Sequence, residues 1–442
     1  MKKFNNNCAD LLKRNAYRIT PANAFCVASL SGLVVLIACF VATRGELLTH
    51  FFYVDQRDTG MDFFHSIEYV RGREPYRMFD TLYPPLANLF FLCLYYIIPT
   101  SVSSNWASNF WDSIWYRGTY WDLRTFQGPM LMFILVLVVS AWMLVTLINC
   151  VLKKMPYKQA NTVALCMMLS PGMMMAFERG NILFFVVTLC LFFVCYRNSE
   201  NRIMRELALV SLALAAGFKL YPAFFGVLLI RDKKYKEAIR AVIYGILTVI
   251  LPMFVFKEGL AGIPMWLSIV FEFGSGGDMP HIGTGFVNIL HRIVLYFDYY
   301  LGIQLPARGF SYAAKLLSLM LLAAALFLKK DWQSSLAITL AIIMFGSNGQ
   351  YIYGFMCVPA VLILLEEEKF TKENVVPYIL TMLLCINLPL FYTHRLKYPD
   401  VAFKQFISVL IVCWCLFYGV RNFKVWYKNQ SFRRKSHGNL EK

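Results

Sequence analysis

The densest group of proton-handling side chains in this sequence lies between Asp55 and Glu68. Three aspartates (Asp55, Asp58, Asp62), His65 and Glu68 fall within 14 residues of a chain that is otherwise mostly apolar. A carboxylate fixed beside a hydroxyl takes its proton as the oxygen attacks, which is general-base chemistry. A short helix starting at Asp62 sets His65, Glu68 and Tyr69 near it on one face. On a membrane-embedded scaffold a carboxylate is costly unless it lines a wet cavity, so it marks a functional site by default. Asp62 is therefore the candidate base, and His65 the residue that orients it or meets a substrate. The structural alternatives are a helix N-cap at the membrane surface for Asp62 and a surface position for His65. Asp55 and Asp58 read as solvated turn residues beside Arg57. The stretch runs on into a Gly72-x-x-Pro75-Tyr76 turn and a Tyr83-Pro84-Pro85-Leu86 step.

Other polar residues interrupt apolar runs further along. Glu178-Arg179-Gly180-Asn181 separates two of them, and Glu178 either binds a substrate or pairs with Arg179. Lys219 stands in Phe-Lys-Leu-Tyr-Pro, where it must snorkel, pair or hold an anion such as a phosphate. Arg292, next to His291, is a second phosphate or sugar candidate, because an arginine fork matches phosphate oxygens. His281 lies in a glycine-rich stretch and is a further candidate. Gly274–Gly277 lacks the Gly-Lys-Ser/Thr ending of a phosphate-binding loop. Trp106, Trp111, Trp115 and Trp121 suit a segment at headgroup level, and Met173–Met175 reads as packing.

The elements that position these residues must be membrane helices. The chain has 442 residues, of which 58% are hydrophobic and 16% aromatic, with a mean hydropathy of +0.53. Its apolar runs of about 17–24 residues suit a bilayer core about 30 Å thick, and they lack the alternation of a barrel. The expected fold is an all-α polytopic membrane protein with about 10–13 transmembrane helices. The net charge of +17 does not indicate nucleic acid. The basic residues cluster in short loops between apolar runs, the pattern of cytoplasmic loops, where anionic lipids also gather. Eleven of the 12 cysteines fall in apolar runs and Cys8 does not; buried thiols without disulfides are expected.

Residues 1–24 read as a cytoplasmic segment with no cleavable signal, 25–420 as one transmembrane domain, and 421–442 as a basic cytoplasmic tail. Residues 43–85 form an outer catalytic loop and 257–309 a second outer loop. The front half is ambiguous by one crossing. If every apolar run crosses once, Lys153-Lys154 and the Arg197 loop fall outside, against the distribution expected of basic residues. If Leu207–Ile230 is a hairpin bent at Lys219-Pro222 and Leu86–Pro99 fails to cross, both fall inside, and Glu178 joins the aspartate loop on the outer face. The second arrangement is preferred. No repeat, linker or soluble domain is evident.

Asp62-Phe-Phe, Tyr69, Arg71-Gly-Arg-Glu-Pro-Tyr76 and Tyr83-Pro-Pro-Leu86 together resemble the loop after helix one in glycosyltransferase family 87. Gly180-Asn181 resembles the family's Gly-Gln-x-Asn element. Gly217-Phe-Lys219-Leu-Tyr-Pro222 resembles its Lys-x-x-Pro element, and Asn288-Ile-Leu-His-Arg292 its Asn…Arg segment. The resemblance spans roughly residues 25–360. It implies a GT-C-class mannosyltransferase using a polyprenyl-phosphate sugar, with Asp62 matching the catalytic aspartate. Tyr76, Tyr83, Asn181, Lys219, Asn288 and Arg292 then fall among the substrate-binding positions, with Glu178, His281 and Tyr353 beside them. In place of the family's Ser-x-x-Ser-Trp-x-His-His element stands Ser347-Asn-Gly-Gln-Tyr-Ile-Tyr353, with no histidine. Either Tyr351 or Tyr353 replaces it, or His65, His281 or His291 supplies the imidazole. A hexose passed to a glycolipid or envelope polysaccharide at the outer face of the plasma membrane is the expected reaction. No Asp-x-Asp motif appears, and neither metal nor cofactor is expected. The competing classes are a lipid-linked oligosaccharide flippase, which favours internal repeats and mid-helix charges, and a polysaccharide polymerase.

Overall fold

The computed structural model describes residues 20–47, 59–99, 123–273, 283–303, 309–367, 369–388, 390 and 399–438. Among these residues there are 18 α-helices and no strand. Asp55, Asp58, His281 and the four loop tryptophans lie outside the described residues.

The first helix, α1 (Pro21–Ala42), starts where the Thr20 side chain accepts from the Asn23 amide at 3.2 Å, with proline at the first turn. Its flanks are apolar yet exposed, as at Val27, Val34 and Val41, which is what a lipid-facing helix requires. The next three helices are short: α2 (Met61–Tyr69), α3 (Pro75–Phe79) and α4 (Pro85–Ile97). The 25-residue α5 (Gln127–Val151) follows. Then α6 (Tyr157–Met168) and α7 (Pro171–Arg179) form one path bent by 58°. Pro171 opens α7; it has no N–H for the ladder of the preceding turn, so a single straight helix cannot continue through it.

The apolar α8 (Leu183–Tyr196) leads to α9 (Arg202–Phe218), which stops at Lys219. Pro222 cannot donate to the Phe218 carbonyl four residues back, so the helix has no next bond to make. The chain turns and returns through a 3-10 segment, Tyr221–Gly226, and α10 (Val227–Arg231). The later helices are α11 (Tyr235–Met253), α12 (Gly262–Phe273), α13 (Phe286–Leu301), α14 (Phe310–Ala325), α15 (Asp331–Met344), α16 (Cys357–Glu366), α17 (Val375–Cys385) and α18 (Pro399–Gly438). A second 3-10 segment, Gln350–Met356, leads into α16.

Three of these helices are long and apolar enough to cross a membrane, or four if the bent α6–α7 pair counts as one span. Seven shorter apolar helices accompany them, α4, α8, α14 and α17 among them. The runs that look continuous in sequence are thus often broken by proline or glycine. Leu207–Ile230 is a hairpin, and the run from Tyr353 begins as 3-10 helix.

Cross-links gather the basic loops at one end of the bundle. Arg197 and Arg231 share Asp232 and Asp331. Lys330 and the Trp332 indole meet Glu367, and Gln159, just past Lys153-Lys154, reaches Asn23 at the start of α1. Because Arg197 and Asp232 are paired, the α9–α10 hairpin begins and ends on this face. At the far end of α5, about 37 Å away for a helix of 25 residues, Arg124 donates to the Thr59 carbonyl at 3.0 Å. The stretch from Thr59 to Arg124 therefore starts and finishes on the opposite face from the basic loops. The α9–α10 hairpin, one element of the preferred front-half arrangement, is present among the described residues.

Candidate active site

Asp62 sits in the first turn of α2. It is not the N-cap: that position is Gly60, at φ 74°. The carboxylate points toward the end of α7. Its Oδ1 accepts from Arg179 Nη2 at 2.7 Å and Nε at 3.2 Å, and its Oδ2 accepts from Asn181 Nδ2 at 2.8 Å. Both side chains of the ion pair are 17% exposed, so the group is sheltered but reachable.

Gly180 makes this junction. It ends α7 in the left-handed conformation at φ 67°, which a glycine adopts without penalty. A Cβ there would stand 2.7 Å from Phe133 Cε2 and 2.9 Å from Phe63 Cβ. The turn throws Arg179 and Asn181, two residues apart, onto one carboxylate. Glu178 points elsewhere: its side chain accepts from Thr59 Oγ1 at 2.7 Å, and its carbonyl takes the Gly60 amide at 2.8 Å. The alternative in which Glu178 pairs with Arg179 is not what forms, since neighbouring helical residues do not face each other.

Lys219, at the tip of the hairpin, enters from the other side. It is only 8% exposed. Its Nζ lies 5.1 Å from the ring centre of Tyr83, 5.4 Å from Tyr351 and 5.9 Å from Tyr221. Three ring faces around one ammonium replace part of its lost hydration. Asp62 is the carboxylate whose charge reaches it. The same Asp62 charge, after burial, pushes the Tyr83 and Tyr69 phenols upward. Tyr351 is positioned by the close contact of α7 with the 3-10 segment Gln350–Met356. A Cβ at Gly172 would collide with the Gly354 nitrogen, so the two backbones touch there.

The structure thus brings Asp62, Asn181, Lys219 and Tyr83 together, with Glu178 one residue from the cluster. His65 stacks obliquely with Tyr69, ring centres 5.9 Å apart, on the same helix as Asp62. Tyr76 is buried; its hydroxyl donates to the Tyr83 carbonyl at 3.2 Å and accepts from Asn88 at 3.0 Å. It holds the Tyr-Pro-Pro step in place rather than meeting Asp62. Glu258 secures the same turn by accepting from the Tyr76 and Arg77 amides at 3.1 Å each.

The later candidates fall in different surroundings. Asn288 is fully buried and accepts from the Gly285 amide at 3.2 Å, a cap at the start of α13. Arg292 lies on that helix within reach of the charge on Asp400 of α18. The Tyr353 hydroxyl bonds Ser408 of α18 at 3.1 Å. Of the two tyrosines offered as stand-ins for the missing histidine, Tyr351 faces Lys219 and Tyr353 faces away. His291 packs on Phe310.

Sequence reasoning offered Arg179 only as one possible partner of Glu178 and did not place Tyr221 in the site. Spacing gives no hint of either: Arg179 meets Asp62 across 117 residues. Among the described residues no three His, Cys, Asp or Glu side chains cluster as metal ligands. One buried carboxyl nearby is unusual. Glu68, on α2, is fully buried beside Arg71 at 3.3 Å; burial raises its pKa to about 7, with Arg71 opposing.

The family model of glycosyltransferase family 87 matches residues 81–348, more than half of the chain. The match includes Tyr83, Glu178, Asn181 and Lys219, and begins after Asp62. No curated protein matches the chain.

Proposed function

The chain belongs to glycosyltransferase family 87 and is a membrane glycosyltransferase, and we propose that it takes a hexose from a polyprenyl-phosphate donor with Asp62 as the base. By resemblance the hexose is mannose and the fold is of the GT-C class. The acceptor is a glycolipid or envelope polysaccharide at the outer face of the plasma membrane. The observation that carries this reading is a carboxylate held by Arg179 and Asn181, in a site that also contains a buried lysine ringed by Tyr83, Tyr221 and Tyr351.

The chemistry follows from the charges. The acceptor hydroxyl attacks the anomeric carbon and the bond to the phosphate oxygen breaks; the electron pair leaves with the phosphate. A carboxylate takes the acceptor proton. A cation sheltered from water stabilises the growing phosphate charge better than it would in solvent. Asp62 is suited to the first task and Lys219 to the second. Asn181 Oδ1 is buried with no hydrogen-bond donor, so a sugar hydroxyl entering beside Asp62 would find an acceptor there. Arg292, within reach of the Asp400 charge, is kept as a second candidate to hold the phosphate or a sugar.

The test is release of polyprenyl phosphate by the purified full chain from a panel of polyprenyl-phosphate sugars, each offered with glycolipid acceptor. Release from at least one such donor, abolished in Asp62→Asn, is expected. Turnover only with a nucleotide-sugar or lipid-diphosphate donor would overturn the donor assignment.

A further inference from the structure

One oxygen of Asp62 is closed in this structure. A carboxylate oxygen has about two lone-pair positions. On Oδ1 both are taken by the Nε and Nη2 arms of Arg179, at 3.2 and 2.7 Å. Oδ2 carries Asn181 Nδ2. A proton delivered to Oδ1 must displace an arm of the guanidinium. Arg179 also stands close enough for its charge to reach Tyr83, whose ring faces Lys219 Nζ at 5.1 Å. Two cations, Arg179 and Lys219, therefore flank the Asp62–Tyr83 pair. A phosphate drawn to Lys219 arrives within the surroundings of a guanidinium fork whose geometry fits phosphate as well as carboxylate.

We propose that Arg179 is a switch residue that covers the Asp62 base until a lipid-linked monophosphate arrives, then moves its fork from Asp62 Oδ1 to that phosphate. The inference rests on the reading of Asp62 as base and Lys219 as phosphate holder. The exchange is balanced through the reaction. As the anomeric carbon–oxygen bond breaks, the phosphate gains negative charge. As Asp62 takes the acceptor proton, it loses its own. The guanidinium moves with the charge. Until the donor binds, Oδ1 is closed and Oδ2 keeps one open position beside the Asn181 amide, so donor binding frees the oxygen that takes the proton and comes before acceptor chemistry.

The test uses binding rather than turnover. Farnesyl phosphate is the probe and farnesol the uncharged control, titrated against the full chain in detergent. Asp62→Asn weakens the hold on Arg179 and should tighten farnesyl phosphate binding by about threefold to tenfold, in the lower part of the range for directly coupled residues. Farnesol binding should not change. Arg179→Gln should weaken binding of the phosphate, and the gain from Asp62→Asn should vanish in the double variant. Arg179→Lys, which keeps the charge without the fork, should also lose most of the gain. If the gain persists undiminished in the double variant, it is simple relief of repulsion between carboxylate and phosphate, and the switch is overturned while the donor reading stands. If farnesyl phosphate binds no better than farnesol, or Lys219→Met leaves its binding unchanged, the phosphate reading falls and the switch with it. Retained elution as a single detergent-solubilised species shows that each variant is folded.

Discussion

Asp62 and the carboxylates around it separate by surroundings rather than by type. Asp62 is held by Arg179 and Asn181; Glu68 is sealed in the packing behind it. If Asp62 is the base, Asp62→Asn lowers turnover at saturating donor by on the order of 10²–10⁴. Asparagine at Asp55 or Asp58 should cost less than about tenfold, the scale of an exposed charge contact of about 0–1 kcal/mol. Near wild-type turnover in Asp62→Asn, with collapse at Asp55 or Asp58, would move the reaction to the other end of the loop. Glu68 yields a pH prediction. Its pKa is raised from 4.5 to about 7, so the folded protein holds a proton that the unfolded chain releases. The stabilising effect is complete below about pH 4.5 and is lost as pH rises through about 7. Glu68→Gln should remove that dependence. The difference in apparent Tm between variant and wild type should shift in the variant's favour between pH 5 and pH 8. A pH-independent difference would mean that Glu68 stays ionised in the fold. At this scale the sequence was partly legible. Asp62, Asn181 and Lys219 were visible as polar residues in apolar settings, whereas Arg179 and Tyr221 acquire meaning only when distant segments meet.

At the scale of elements, the site depends on how helices stop. Gly180 ends α7, Pro222 prevents α9 from continuing, and the Tyr-Pro-Pro step opens α4 with Pro85 at its first turn. Gly180→Ala combines a left-handed backbone, costing roughly 1–2 kcal/mol for a residue with a Cβ, with a clash against Phe133 and Phe63. Overpacking of that kind adds about 1–3 kcal/mol. The variant should melt several degrees lower, and its activity should fall further than its folded fraction, because Arg179 and Asn181 flank the strained residue. Unchanged Tm and turnover in Gly180→Ala would show that the junction is pliable. These stops were readable as local signals, and the bend at Lys219-Pro222 was read as such. The break between α6 and α7 was not, because Asn161–Phe177 is apolar enough to pass for one straight run. Asn288 and Tyr353 are motif-like positions whose side chains also bond within the fold, at the start of α13 and to Ser408 of α18.

Over the whole molecule, periodicity and composition made the helical membrane class plain, and the clustering of basic loops pointed to the preferred crossing pattern. The number of complete spans was less legible, since a helix of half the usual length is apolar in sequence just as a full one is. The predicted orientation follows from the basic face. Residues 231–240 and the C-terminal tail should be cytoplasmic, and Asp62 and Gly349 should face outside. Single cysteines at residues 62, 235 and 349, in a chain cleared of its 12 native cysteines, can be labelled from outside with an impermeant reagent. Labelling at 62 and 349 but not at 235 is expected; the reverse would invert the protein and place the chemistry in the cytoplasm.

The short α8 has a consequence for where a substrate must travel. Its 14 residues extend about 21 Å, against a hydrocarbon core about 30 Å thick. Asn181, beside Asp62, precedes its first turn, and Arg197, in the basic-face ion cluster, follows its last. The two ends of α8 are thus closer together than the two boundaries of a bilayer core, whereas α5, at about 37 Å, is longer than that core is thick. On the proposed reading, a site at the end of so short a helix favours a flexible or lipid-tethered acceptor end over a rigid, bulky chain interior.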